Sequence, residues 1–190
     1  MKLLDLRKIH QGDYLTYYVA DYLNAANKIK SYEFISRKNN LTLETFGVVN
    51  PIGVVIIALN EDGSKVLLPL EHRLATNNWI YNFPAGLIEK GESPLECAKR
   101  ELYEETGIKD VSVIRVLPPS FPSQAISDEA VYTVLAYCKG KTNDSILVDE
   151  EIKTKWYSKE EVLSLINNNA LMSVRTQMFL YFWSKDEWKI

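Results

Sequence analysis

The chain has 190 residues, 46% of them hydrophobic, enough to bury one full core with a small appendage. Its 22 basic and 25 acidic residues leave a formal net charge of −3 with no dense Lys/Arg cluster, which argues against nucleic-acid wrapping and membrane-surface adsorption. Two cysteines, Cys97 and Cys138, and two histidines far from either, His10 and His72, make neither a disulfide framework nor a zinc-ligand pattern.

The N-terminal run MKLLDLRKIHQGD carries charges every few residues and lacks an apolar signal-peptide core. No later stretch approaches the length of a membrane span, so a soluble cytoplasmic chain is expected. Tyr14–Tyr22 and Lys28–Arg37, rich in aromatic and β-branched residues, read as two antiparallel strands joined by a turn at Asn24–Asn27. A second block opens near Gly47, where Val54–Leu59 and Lys65–Leu70 flank the hairpin turn Asn60-Glu-Asp-Gly63. Trp79–Phe83 reads as one strand leading into Pro84-Ala85-Gly86.

Ser93, Pro94 and Glu96 supply an N-cap, a first-position proline and a capping-box glutamate, so a helix should run from Pro94 to Thr106. Gly107 provides the left-handed residue that ends it. On that helix Glu101, Glu104 and Glu105 fall within an arc of about 100°, while Leu95, Ala98 and Leu102 form an inward stripe. Three carboxylates so placed repel one another, and a hard divalent cation taking oxygen ligands compensates them. An ordinary solvated face balanced by Lys99 and Arg100 is the plain alternative. Farther on, Val111–Leu117, Ala130–Lys139 and Lys153–Tyr157 read as strands. Ser158–Ile166 and Ser173–Trp183 read as helices, the first opened by the capping-box pair Ser158 and Glu161. This order predicts an α/β fold: an α/β/α sandwich with helices on both faces of a mixed sheet over residues 47–190, preceded by an antiparallel β extension over residues 1–46.

Residues 86–108, GLIEKGESPLECAKRELYEETGI, fill every position of the pattern Gly-x5-Glu-x7-Arg-Glu-Leu-x-Glu-Glu-x-Gly-Ile. Its seven glycine, glutamate and arginine identities alone match by chance at a given start with odds of roughly 10⁻⁸. The run resembles the Nudix box, the signature of hydrolases that cut a diphosphate linking a nucleoside to another group. The resemblance implies magnesium (or manganese in its place) held by Glu101, Glu105, Glu104 and the main-chain carbonyl of Ala85, with Gly86 allowing close approach of the loop. It gives Glu105 a catalytic role. Arg100 would orient a carboxylate such as Glu92 or Glu104. The general base would lie on a loop beyond the box, among Asp149, Glu150 and Glu151, with Glu150 preferred and also meeting the metal.

Outside the box the chain is similar to the ADP-ribose pyrophosphatase branch of that family. The similarity rests on Tyr32-Glu33-x3-Arg37, Glu71-His-Arg73, Tyr81-Asn-Phe-Pro-Ala-Gly86, and Pro122 with Ser127-Asp-Glu129. It implies a homodimer that exchanges its N-terminal strands, Glu33 and Arg37 at the nucleoside end, Arg73 on the phosphates, and Glu129 at the ribose or base. The branch usually carries Pro-Gly after the box where this chain has Pro122-Ser-Gln-Ala125, so the expected substrate class is nucleoside diphosphate sugars, with ADP-ribose its leading member. Two other functions compete: a nucleoside triphosphate pyrophosphohydrolase, and a Nudix-fold sensor that binds a nucleotide sugar without cutting it.

Overall fold

The charged N-terminal run is a strand, β1 (Lys2–Gln11), which the sequence reading did not anticipate. It pairs antiparallel with β2 (Thr16–Leu23), which pairs with β3 (Ile29–Ser36), so the extension is a three-stranded sheet and not a hairpin of two. β1 is an edge strand whose residues stay mostly exposed, and only Leu3 and Leu6 pack onto the small core of Tyr18, Ala20 and Phe34. With only those two side chains turned inward it shows no apolar alternation, and backbone pairing with β2 does most to make it a strand. The β2–β3 turn falls where expected, with Asn27 in a left-handed conformation and the Asn24 amide bonded to the Lys28 carbonyl.

In the computed structural model, which describes residues 1–143 and 151–187, this sheet belongs to a unit made of Met1–Ile52 and Pro119–Val131. The later segment is tied in by the Ile35 amide to Ile126 O and the Ile52 amide to Ala130 O, both 2.9 Å. A second unit comprises Gly53–Pro118 and Tyr132–Ile190.

The second unit is built on a mixed sheet containing β4 (Gly53–Asn60), β5 (Lys65–Arg73), β6 (Asn78–Tyr81), β7 (Ala85–Leu87), β8 (Asp110–Val116), β9 (Val131–Lys139) and β10 (Ile152–Ser158). Its main order is β10-β5-β4-β9-β8, with β6 on β5 and β7 on β4. β4 is buried from Gly53 to Leu59, which demands cover on both faces. Helix α1 (Pro94–Thr106) supplies one cover: Cys97, Ala98 and Leu102 join Val54, Ile56, Ala58 and Leu67 in one core. Helices α2 (Lys159–Asn167) and α3 (Val174–Ser184) supply the other, burying Val162, Phe179, Leu180 and Trp183.

The strand read over Trp79–Phe83 is β6, which ends at Tyr81, and a second short strand, β7, follows where only the run Pro84-Ala85-Gly86 was expected. β6 pairs with β5 up to Tyr81 and β7 pairs with β4 from Ala85, with Asn82-Phe83-Pro84 crossing between them. Pro84 cannot donate to a ladder but accepts from the Ile56 amide at 2.8 Å, and the Asn82 amide reaches Pro69 O at 3.1 Å. Among the described residues no helix is long and apolar enough to cross a membrane.

Leu102 is fully buried where α1 meets the sheet. Leu102→Ala is expected to cost about 2–5 kcal/mol, read as a lower denaturation midpoint with an unchanged slope.

Candidate active site

Helix α1 begins as its sequence requires. The Glu96 amide donates to Ser93 Oγ at 3.3 Å, the Ser93 amide donates to Glu96 Oε2 at 2.8 Å, and Pro94 fills the first turn. It ends at Gly107, at φ 75°, whose amide bonds to Tyr103 O. The buried stripe, however, is Cys97, Ala98, Glu101, Leu102 and Glu105, not Leu95, Ala98 and Leu102. Leu95 lies in the first turn and is 39% exposed, whereas the carboxylate-bearing residues Glu101 and Glu105 are only 7% and 6% exposed. Buried carboxylates are costly unless partnered, so this helix edge must be satisfied locally.

Arg100 satisfies much of it. Its Nε and Nη2 grip the two oxygens of Glu92 at 2.9 and 3.0 Å, a two-pronged ion pair. Nη1 donates to Glu101 Oε1 at 2.8 Å and to Glu104 Oε2 at 3.0 Å, while Nη2 also reaches Leu87 O at 2.9 Å. The hydrogen bonds from Arg100 hold the Glu92 carboxyl down to about 2, and those carboxylates push the guanidinium above its ordinary value. Glu105 accepts from the Ala85 amide at 3.4 Å, and its own carbonyl accepts from Thr154 Oγ1 at 3.2 Å.

Gly86 explains how strand and helix come so close. A Cβ there would sit 1.8 Å from the Glu101 carboxyl carbon, so only glycine lets that carboxylate lie against β7. Among the described residues no three acidic, imidazole or thiol groups are yet gathered as a ready cation cage. Arg100 draws Glu101 and Glu104 toward Glu92 instead. The donor set nonetheless suits a hard divalent cation: carboxylate oxygens of Glu101, Glu104 and Glu105 on one helix edge, with the Glu101 carboxylate seated against Gly86, where a Cβ would displace it. Cys97 and Cys138 are buried packing residues whose thiols burial pushes up to about 12.

The remaining sequence-derived residues fall in three places. In the first unit, Arg37 forms an ion pair through Nε with Glu129, Lys38 pairs with Asp128 at 3.3 Å, and Tyr32 Oη donates to Ala125 O at 2.6 Å. Glu33 lies exposed on β3 and accepts from the Tyr17 hydroxyl, which it holds above its ordinary pKa. In the second unit, Arg73 closes β5 and pairs with Glu71 at 2.9 Å. Asp149 and Glu150 lie outside the described residues; Glu151 is exposed and its carbonyl accepts from the His72 amide at 3.2 Å. Sequence reasoning passed over Arg175, in the first turn of α3, whose Nε is buried with no hydrogen-bond partner. Its signal would have been a basic residue two places after the N-cap serine, Ser173.

The model of the NUDIX domain matches residues 49–176, well over half of the chain. The chain belongs to the Nudix hydrolase family. An RNA pyrophosphohydrolase of Bartonella bacilliformis is 40% identical over 67 residues, 33% of this chain and 39% of that protein, so the chain spans well under two thirds of that relative. An ADP-ribose pyrophosphatase of Bacillus subtilis is 28% identical over 131 residues, 68% of this chain and 70% of that protein. The solved structure described as an ADP compounds hydrolase superposes with a TM-score of 0.65 at 17% identity, covering 98% of this chain and 96% of that one, which establishes likeness of fold. Nudix hydrolases generally use divalent metals, and the oxygen donors of α1 fit that habit.

Two outcomes test this geometry. Glu92 is held at about 2 when folded against an ordinary 4.5, so the unfolded chain takes up its proton first. Its stabilising contribution is whole above pH 4.5 and is lost as pH falls toward 2; thermal melts across that window should steepen for the wild type and flatten for Glu92→Gln. Gly86→Ala should keep the fold, because the obstructed group is the end of a flexible side chain, yet swing the Glu101 carboxylate away from Arg100. A near-native melting temperature with a displaced Glu101 in a crystal structure is the expected pair of results.

Proposed function

We propose that this chain hydrolyses the diphosphate bond of a nucleoside diphosphate sugar in the presence of magnesium, with ADP-ribose the leading substrate, giving a nucleoside monophosphate and a sugar phosphate. The observation that carries the reading is the helix edge on which Glu101, Glu104 and Glu105 stand beside Gly86, braced by Arg100 and Glu92. Similarity to an ADP-ribose pyrophosphatase across 68% of the chain supports the substrate class.

In this proposal Glu101, Glu104, Glu105, the Ala85 carbonyl and Glu150 hold the cation, with manganese able to replace magnesium. Such a cation supplies neutralisation of phosphate oxygens and makes water more acidic. Arg100 holds the Glu101 and Glu104 carboxylates close together on the helix edge until a cation takes over part of their hydrogen bonding. Glu150 accepts the proton of the attacking water; the new bond forms at phosphorus and the bridging P–O bond breaks, releasing the second phosphate. Arg73 offers a planar donor fork to the diphosphate. Glu33, Arg37 and Glu129 meet the nucleoside end; because Arg37 binds Glu129 through Nε, its two Nη groups remain to donate. Residues 1–46 serve as a dimerisation segment, and the protein acts as a cytoplasmic homodimer.

A second reading has one observation behind it: the similarity to RNA pyrophosphohydrolase favours cleavage at a triphosphate end, as does the related case of a nucleoside triphosphate substrate. A non-cleaving sensor would show binding without turnover.

Purified protein with magnesium, given ADP-ribose, ADP-glucose, GDP-mannose, UDP-glucose, dNTPs and 5′-triphosphorylated RNA, should show its highest kcat/KM on ADP-ribose, with AMP and ribose phosphate as products. Pyrophosphate release from a triphosphate at a higher kcat/KM would replace this reading with the second. Glu105→Gln should lower kcat by more than the roughly 10–100-fold typical of losing a supporting group such as Arg100.

A further inference from the structure

Arg175 is held in a fixed place. The first turn of α3 is fastened to the exit of β6: the Tyr81 amide donates to Leu171 O at 2.9 Å, the Ser173 amide to Tyr81 O at 3.4 Å, and Ser173 Oγ and Thr176 Oγ1 both donate to Asn82 Oδ1 at 3.1 and 3.3 Å. β6 in turn pairs with the end of β5, setting Arg73 opposite Asn78 and Glu71 opposite Ile80. Arg175 therefore projects from an anchored turn into the neighbourhood of Arg73 and Glu71.

The local chemistry is unbalanced. Burial and the nearby Arg73 charge pull the Arg175 guanidinium below the ordinary arginine value, and among the described residues Glu71 opposes them. That carboxylate is already paired with Arg73 at 2.9 Å. Among the described residues, Arg175 Nε is the one buried side-chain donor with no acceptor. Buried polar groups are almost always matched, so two guanidiniums beside one carboxylate, with the buried Nε of the half-buried Arg175 left over, make an N–H for which the described residues provide no acceptor.

We propose that Arg175 is a substrate-binding residue which, together with Arg73, forms a two-arginine seat for a phosphoryl group of the substrate's diphosphate. A phosphoryl oxygen can accept from the unmatched Nε while its negative charge relieves the repulsion between the guanidiniums, and the planar fork suits two phosphate oxygens at once. Glu71 fits as the group that keeps the seat from being too positive when empty. The inference deepens the proposed function and rests on it for the identity of the substrate, though not for the anion site itself.

The test measures pyrophosphate binding by calorimetry in EDTA and steady-state hydrolysis of ADP-ribose with magnesium, for the whole chain and for Arg175→Gln, Arg175→Lys and Glu71→Gln. Arg175→Gln should weaken pyrophosphate binding and raise KM, each about ten-fold or more, with kcat changed far less and the melting temperature unchanged or higher. Arg175→Lys should recover part of the loss, and Glu71→Gln should tighten pyrophosphate binding. Wild-type pyrophosphate affinity within two-fold in both Arg175 variants overturns the proposal, as does weaker binding in Glu71→Gln. If wild type binds pyrophosphate through Arg175 but cleaves no nucleotide sugar, the seat stands and the substrate assignment falls. If Arg175→Gln cleaves ADP-ribose with both wild-type KM and wild-type kcat, the reverse holds.

Discussion

One guanidinium organises the second unit's chemistry. Arg100 contacts Glu92 on the loop before α1, Glu101 and Glu104 on the helix, and the Leu87 carbonyl at the end of β7. A lysine, with a single compact ammonium, could not span these groups, because the task needs several donors held in one plane. Without the bridge, the closely spaced carboxylates of α1 would repel and Glu101 would be buried against Gly86 with its charge poorly compensated. In the proposed site the same bridge would compete with a cation for two of the carboxylates. Binding a divalent ion therefore means trading hydrogen bonds for coordination, which favours readily reversible occupancy.

What could be read directly from the residues was whatever is encoded locally. The ends of α1 follow from Ser93, Pro94, Glu96 and Gly107, and the spacing of Glu101, Glu104 and Glu105 places them along one edge, because both depend on residues within a turn or two of each other. The β4–β5 hairpin follows from Asn60 to Gly63 for the same reason, its turn closed by the Gly63 amide on Asn60 O. β1 escaped notice because both its faces remain largely exposed, and hydrophobic period is the primary strand signal a sequence carries. The break between β6 and β7 was hidden because, while β6 closes a short hairpin on β5, β7 pairs with β4, a partner distant in sequence.

The candidate site divides in the same way. Residues of the box lie in one continuous segment, so their mutual geometry was legible. Arg37 and Glu129 were each singled out as substrate contacts, but their pairing with one another spans 92 positions and has no local trace. Arg175 carries no motif at all; only its burial, its unmatched Nε and the company of Arg73 mark it, and these arise from tertiary packing.

The first unit is discontinuous: its three-stranded sheet comes from the first fifty-two residues, and it also takes in Pro119–Val131. Ile126, Ala125, Ala130, Asp128 and Glu129 all bond back to that sheet or to the segment after it. During synthesis, which proceeds from the N-terminus at about 5–20 residues per second, β1 to β3 emerge seconds before the piece that completes them. Over that interval the bonding groups of Tyr32, Ile35, Arg37 and Lys38 face solvent or other chains. The open edge of β1 stays available for pairing throughout. The charges on Lys2, Asp5, Arg7 and Lys8 thus acquire a second use, as gatekeepers that discourage nascent chains from adhering to one another.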